Sequence, residues 1–165
     1  MIDMLVKLYE LQPLNPVVDE LKREGIVVRR AMPFSDKTQL IQWVRGIWGG
    51  GWADECDVAF SNHPASCFVA VKDQKLLGFG CYDTCQKNFF GPTGVHDDAK
   101  GKGVGKALLL ACLHAMRWNG YAYAIIGGVG PKEFYSKVAG ATVIEGSDPG
   151  IFRDLLRTTS EGSSS

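Results

Sequence analysis

Lys100-Gly101-Lys102-Gly103-Val104-Gly105-Lys106 runs straight into the apolar stretch Ala107 to Met116, and the rest of the chain is read outward from that junction. Three glycines within five residues strip side chains from a turn, so backbone N–H groups converge on an anion. The helix that follows adds its unpaired first-turn N–H groups and the positive end of its dipole. Lys100, Lys102 and Lys106 add mobile positive charge. The pattern is that of a phosphate nest; a solvated glycine turn ahead of a core helix is the plain alternative.

Spacing sorts the glycine loops that hold phosphate. A nucleotide P-loop needs G-x-x-x-x-G-K followed by a hydroxyl residue for Mg²⁺, but Gly105-Lys106 has Lys100 five residues earlier and Ala107 after it. The dinucleotide fingerprint needs G-x-G-x-x-G, and Gly101-Lys102-Gly103-Val104-Gly105 has the wrong final interval. Both are excluded.

The flanks give the context of the loop. Pro16 and Gly25 bound a short helix, and Gly25 to Ala31 reads as a strand because Ile26, Val27 and Val28 are β-branched in succession. Ser35-Asp36 is expected to cap a helix carrying Leu40, Ile41, Trp43, Val44 and Ile47 at helical spacing, with Gly49-Gly50-Gly51 ending it as a flexible connection. The segment Trp52 to Asp57 beyond those glycines either walls a pocket or is a helix turn that buries Trp52. Cys67 to Val71 and Leu76 to Tyr82 form a hairpin through Lys72 to Lys75. Phe89 to His96 is a further strand, and Gly91, Pro92 and Gly94 within it predict a bulge or a close backbone approach.

Downstream of the loop, the run from Val104 is a helix ending near Asn119-Gly120, so broadly apolar that it must be covered on more than one side. Tyr121 to Ile126 is a strand broken by Gly127-Gly128-Val129-Gly130. Pro131 opens a helix with Phe134, Tyr135 and Val138 that stops at Gly140, Ala141 to Ile144 is the last strand, and Gly150 to Leu156 a helical turn. The mixture predicts an α+β sheet rather than regular βαβ alternation.

Composition narrows the ligand. Eighteen basic and eighteen acidic residues cancel in a chain of 165, so no overall charge favours nucleic acid or an anionic membrane. The local lysines point instead to a small phosphorylated ligand. No apolar run reaches membrane-spanning length, and the start lacks a signal-peptide layout, so a cytoplasmic location is expected. The five cysteines are scattered without C-x-x-C spacing, which predicts free thiols and no metal.

Lys100-Gly101-Lys102-Gly103-Val104-Gly105 resembles the pyrophosphate loop of the GNAT superfamily of N-acetyltransferases, with Lys where Arg or Gln is usual. Phe134 to Ala141 resembles that family's Phe-Tyr helix ending in glycine, one strand further on. Gly128 stands where the family often has Asn. The likeness covers roughly residues 25–146. It implies a mixed, mostly antiparallel central sheet with a V-shaped splay between the fourth and fifth strands, flanked by helices. The organisation implied is an N-terminal helical arm over 1–24, one acetyltransferase domain over 25–157, and a disordered serine-rich tail over 158–165.

The resemblance also assigns roles. Acetyl-CoA is the implied cosubstrate, its pyrophosphate at Gly101, Lys102, Gly103, Val104, Gly105 and Lys106 beside Lys100, its pantetheine arm along Gly94, Val95 and His96. The Val95 amide is then an oxyanion donor. Tyr135 is the implied acid for the departing thiolate; Asp83, at the end of a strand beside the expected cleft, and Glu55, in the segment after the glycines, are candidates for the base by their place in the chain. The expected reaction is direct acetyl transfer to a primary amine of a small molecule or peptide; a non-catalytic acetyl-CoA or CoA sensor is the alternative. A homodimer is suggested by the apolar helix from Val104 and by family habit.

Overall fold

A computed structural model describes residues 1–156; the serine-rich tail expected over 158–165 lies outside them. Seven strands form one sheet: β1 (Met4–Lys7), β2 (Val27–Arg30), β3 (Cys67–Lys72), β4 (Lys75–Tyr82), β5 (Phe89–Val95), β6 (Tyr123–Ile126) and β7 (Thr142–Val143). Their spatial order is β2-β3-β4-β5-β6-β1-β7. Every pairing is antiparallel except that of β5 with β6. The expected mixed, mostly antiparallel sheet is therefore present, and its fourth and fifth expected strands are β5 and β6.

The numbering is offset because Met4–Lys7 is a strand and not part of a helical arm. Met4 and Val6 point into the core while Leu5 and Lys7 alternate outward. Four residues carry too short an alternation to stand out from a sequence. Two neighbours fix it instead, β6 on one side and β7 on the other. Within the first 24 residues only α1 (Asn15–Arg23) is α-helical.

Five α-helices cover the two faces. On one face lie α1 and α4 (Val104–Trp118), on the other α2 (Pro33–Trp48) and α3 (Gly50–Ala59); α5 (Lys132–Ala139) packs beside α4. Ten of the fifteen residues of α4 are buried. It sits close on the sheet because β4 presents Gly78 and Gly80, where an added Cβ would come within 2.9 Å of Leu108 Cδ1 and 3.3 Å of Cys112 Sγ. The sheet covers one side of α4, and α1 with the turn Leu8–Glu10 covers the other. Its apolar surface is thus covered within the chain except at its last residue, Trp118, which is 87% exposed.

Local chemistry corrects two expected boundaries. The helix α2 starts at Pro33, before Ser35-Asp36, and Asp36 reaches back to accept the Met32 N–H at 2.6 Å, as the acidic member of a capping box does. Arg29 donates to both Asp36 oxygens at 2.6 and 3.1 Å, and this pairing holds the carboxyl below the usual aspartate range. The glycine triplet is not a flexible connection. Only Gly49 leaves helical geometry, at φ +96°, while Gly50 and Gly51 form the first turn of α3.

The β3–β4 turn is as short as expected, with Asp73 and Gln74 both at positive φ, as a two-residue hairpin requires. All five cysteines are free thiols. Among the described residues no helix is long and apolar enough to cross a membrane.

Candidate active site

The site begins where two strands stop pairing. The parallel ladder between β5 and β6 consists of Phe89 opposite Ile125 and Phe90 opposite Ile126. Beyond it β5 continues along β4 through Gly94 and Val95, whereas β6 ends and the chain turns through Gly127 to Gly130. The gap opens into a cleft of about 950 Å³. It is lined from both faces of the sheet, by α4 and α5 on one and by α3 on the other.

The turn that parts the strands is held by a buried acid. Gly128 has φ +57°, the left-handed region that glycine or asparagine tolerates, and its N–H donates to Asp3 Oδ1 at 2.9 Å. Asp3 is 6% exposed, and its own N–H donates to Ser147 Oγ at 2.8 Å. No motif announces Asp3; it acts from 125 positions away in sequence.

On the opposite wall, β5 turns part of its backbone toward the gap. The His96 N–H donates to Leu77 O at 2.8 Å. In an antiparallel ladder the bonded residues alternate, so the N–H and C=O groups of Val95 and Thr93 face away from β4 and into the splay. Gly94 answers a different demand. A Cβ there would lie 2.6 Å from Trp48 Cζ2, so the glycine makes room for the indole on the α2 side rather than for a ligand.

The glycine loop closes one end of the cleft. Gly101 and Gly103 take φ +80° and +91°, and Gly103 caps α4. The first bond of the helix runs from Ala107 N–H to Gly103 O, which leaves the N–H groups of Val104, Gly105 and Lys106 without intrahelical acceptors. Gly105 fits the helix start between β5 and α5: its Cβ position is 3.5 Å from Val95 Cγ2 and 3.9 Å from Phe134 Cζ. Lys100 and Lys106 both line this end, and Lys100 also pairs with Asp97 at 2.7 Å. Three unpaired N–H groups, a helix dipole and two cations fit the charge of a pyrophosphate.

Tyr135 stands deeper in the cleft. Its ring is 7% exposed and edge-on to Phe134 and Phe90, with centroids 5.2 and 6.4 Å away. Burial pushes its phenol above the ordinary value, so it stays protonated at neutral pH.

The far end carries a different chemistry. Glu55 of α3 lines it beside Trp52, Cys85 and Phe152. Burial raises the Glu55 carboxyl, and a hydrogen bond from Thr84 offsets part of that rise. Thr84 Oγ1 lies 3.3 Å from Glu55 Oε2 and 3.0 Å from Gly91 O. One hydroxyl proton serves a single acceptor at a time. Burial, and then the negative charge of Glu55, raise the Cys85 thiol, which keeps it in the neutral form.

Of the expected site residues, the structure brings Gly94, Val95, Lys100, Gly101, Gly103, Val104, Gly105, Lys106, Tyr135 and Glu55 around one cleft. Three lie elsewhere. Lys102 is exposed and off the lining. His96 spends its N–H on Leu77, and its ring Nδ1 accepts the Asp98 N–H at 3.2 Å, closing the turn before the loop. Asp83 lies off this cleft, with Oδ1 accepting the Asn88 N–H at 2.8 Å and Oδ2 the Tyr121 hydroxyl at 3.0 Å. It lines a separate hollow of about 360 Å³ with His63 and Lys87. Thr84, Cys85, Phe152 and Asp3 escape a sequence reading because each sits in a segment without periodicity. Trp52 is on a helix turn as one reading had it, but it is not buried: it is exposed and stands in the cleft wall, as the other reading had it.

Comparisons with known proteins agree with this geometry. The family model described as "Acetyltransferase (GNAT) family" matches residues 37–139. No curated protein matches the chain in sequence. The fold is similar to the glucosamine N-acetyltransferase region of a fungal multi-domain β-N-acetylglucosaminidase, with TM-score 0.69 and 13% identity over 87% of this chain and 19% of that one. It is similar to an N-acetyltransferase from Sphaerobacter thermophilus, with TM-score 0.67 and 20% identity over 87% and 48%. A GNAT acetyltransferase from Brucella melitensis in complex with acetyl-CoA gives TM-score 0.50 and 19% identity over 72% and 86%. The chain thus spans less than half the length of the first two. With the matched model covering the loop, the splay and Tyr135, the chain belongs to the GNAT family of acetyltransferases.

Proposed function

We propose that the protein transfers the acetyl group of acetyl-CoA directly to a primary amine, with both substrates bound at once. The observation that carries this reading is one cleft lined from both faces of the sheet, with a phosphate nest at one end and the carboxyl of Glu55 at the other. Donor and acceptor then meet between Val95 and Tyr135, which supplies proximity and orientation.

Each group has one task. The N–H groups of Val104, Gly105 and Lys106 hold the pyrophosphate, and the pantetheine arm pairs with the splayed edge of β5 as an added strand would. The Val95 N–H polarises the thioester carbonyl. The neutral amine nitrogen attacks the carbonyl carbon, the carbon–sulfur bond breaks, Glu55 takes the amine proton and Tyr135 gives its proton to the thiolate. Burial suits both residues, because a carboxylate with raised pKa is the stronger base and a buried phenol retains its proton.

Calorimetric titration with acetyl-CoA, followed by thiol release with a panel of amines, tests the proposal. Binding together with thiol release from at least one amine supports it. Tight binding without release from any amine would leave a sensor of acetyl-CoA or CoA, and no binding would sink both readings. Tyr135→Phe should lower turnover by about 10²-fold with acetyl-CoA affinity retained.

A further inference from the structure

The two ends of the cleft differ in charge and in polarity. The loop end holds Lys100 and Lys106, while among the described residues that line the cleft Glu55 is the one carboxylate. Around Glu55 the wall is aromatic or apolar, from Trp52, Phe89, Pro92 and Phe152, with the neutral thiol of Cys85, and the Thr84 proton is taken by either Glu55 or the Gly91 carbonyl.

Trp52 is a prepared surface. It is 37% exposed on the cleft, and its indole stacks on Trp48 with centroids 5.9 Å apart and planes 24° from parallel. Trp48 is itself fixed, wedged over Gly94 and packed on Phe79 and Trp43 at 5.5 and 5.2 Å. A flat apolar face thus stands at a set distance from a single anion, and little entropy remains to be lost when a ligand covers it.

An acceptor with one ammonium can place it on Glu55. A second or third ammonium meets either apolar wall, where an unpaired charge is costly, or the lysines of the loop end, which repel it. Resting on the acetyl-transfer reading above, we infer that the acceptor is a monocationic primary amine borne on an aromatic or other flat apolar body, seated against Trp52 with its nitrogen at Glu55. Polycationic amines such as polyamines and aminoglycosides are rejected. Trp52 is then the residue that sets specificity, and Glu55 holds the ammonium, which gives one proton to solvent to become the neutral nucleophile, and takes the second proton as the carbon–nitrogen bond forms.

Thiol release by the full chain with saturating acetyl-CoA provides the test, using 2-phenylethylamine, ethylamine, spermidine and kanamycin as acceptors. The expected kcat/KM for 2-phenylethylamine exceeds that of each other amine by at least about tenfold, since even one methylene in a fitted hydrophobic pocket is worth a factor of about 10 to 200. Trp52→Ala should remove most of that advantage through KM while changing ethylamine less than about threefold, and Trp52→Phe should keep the preference. A preference for spermidine or kanamycin, an unchanged Trp52→Ala variant, or one that loses all amines equally while Trp52→Phe does too, would overturn the inference and leave acetyl transfer standing. No thiol release from any amine would overturn both.

Discussion

The two ends of the cleft are built in opposite ways. The end proposed to hold phosphate is one continuous stretch, Lys100 to Lys106, built from backbone N–H groups and a helix start. The acceptor end is assembled from α3, the β4–β5 connection, the chain after β6 and the segment around Phe152. A site made of backbone needs glycines at fixed spacing; one made of side chains needs only a fold that brings distant residues together.

Breaking the phosphate end should have the largest effect. Gly103→Glu puts a side chain where φ is +91° and a negative charge beside the unpaired N–H groups of α4. Acetyl-CoA affinity should fall by at least about 100-fold, roughly 2.7 kcal/mol, in calorimetric titration. Unchanged affinity would move the nucleotide site away from the loop.

That contrast also explains what was legible in the sequence. Gly101, Gly103 and Gly105 were legible because each is a backbone requirement with a fixed place ahead of a helix, and Phe134-Tyr135 because it follows at the expected remove. Glu55 could be named but not separated from Asp83: both are acids beside strands or turns, and only the tertiary structure shows one facing the cleft and the other consumed by Asn88 and Tyr121. The strand β1 was missed for the same kind of reason. Its four residues owe their conformation to β6 and β7, and Asp3 owes its role to Gly128.

Breaking the acceptor end comes next. Glu55→Gln removes the base but keeps the shape, so kcat should drop by about 10²- to 10³-fold while acetyl-CoA affinity stays. Wild-type turnover should rise with pH as Glu55 ionises, at a pH above that of an ordinary glutamate, and the variant should lose this limb. Stability should move the other way. A carboxyl whose folded pKa is raised contributes stability below its unfolded pKa and loses it as pH rises through the folded value. Above the folded value the wild-type therefore carries a half-buried charge at a cost, and there the variant should melt at the same temperature or higher. A variant that melted lower would show that Glu55 serves the fold rather than the chemistry.

Gly94→Ala separates two explanations for a glycine that touches both ends. If the glycine exists to admit Trp48, the added methyl displaces the indole, destabilises the fold by about 1–3 kcal/mol and shifts the tryptophan emission. The acceptor KM should then rise by more than the dissociation constant of acetyl-CoA, because Trp48 supports Trp52. An equal or larger loss on the acetyl-CoA side would assign Gly94 to the pantetheine arm instead.

The smallest effect on turnover is expected from the acid that sequence alone cannot tell from Glu55. Asp83→Ala deletes the acceptor of the Asn88 N–H, a bond that closes the β4–β5 connection on itself, and of the Tyr121 hydroxyl, a bond that ties it to the segment leading into β6. Losing both should cost about 2 kcal/mol in denaturant unfolding, since each bond contributes roughly 1 kcal/mol and more if a partner is left unsatisfied. The connection also carries Thr84 and Cys85, but Thr84 keeps its own acceptors, Gly91 O and Glu55, one at a time. The acceptor end therefore retains its geometry, and kcat at saturating substrates should stay within about twofold of wild type, a change of less than 0.5 kcal/mol in the barrier. A loss of turnover without loss of stability would return Asp83 to the reaction and reverse the assignment of the base.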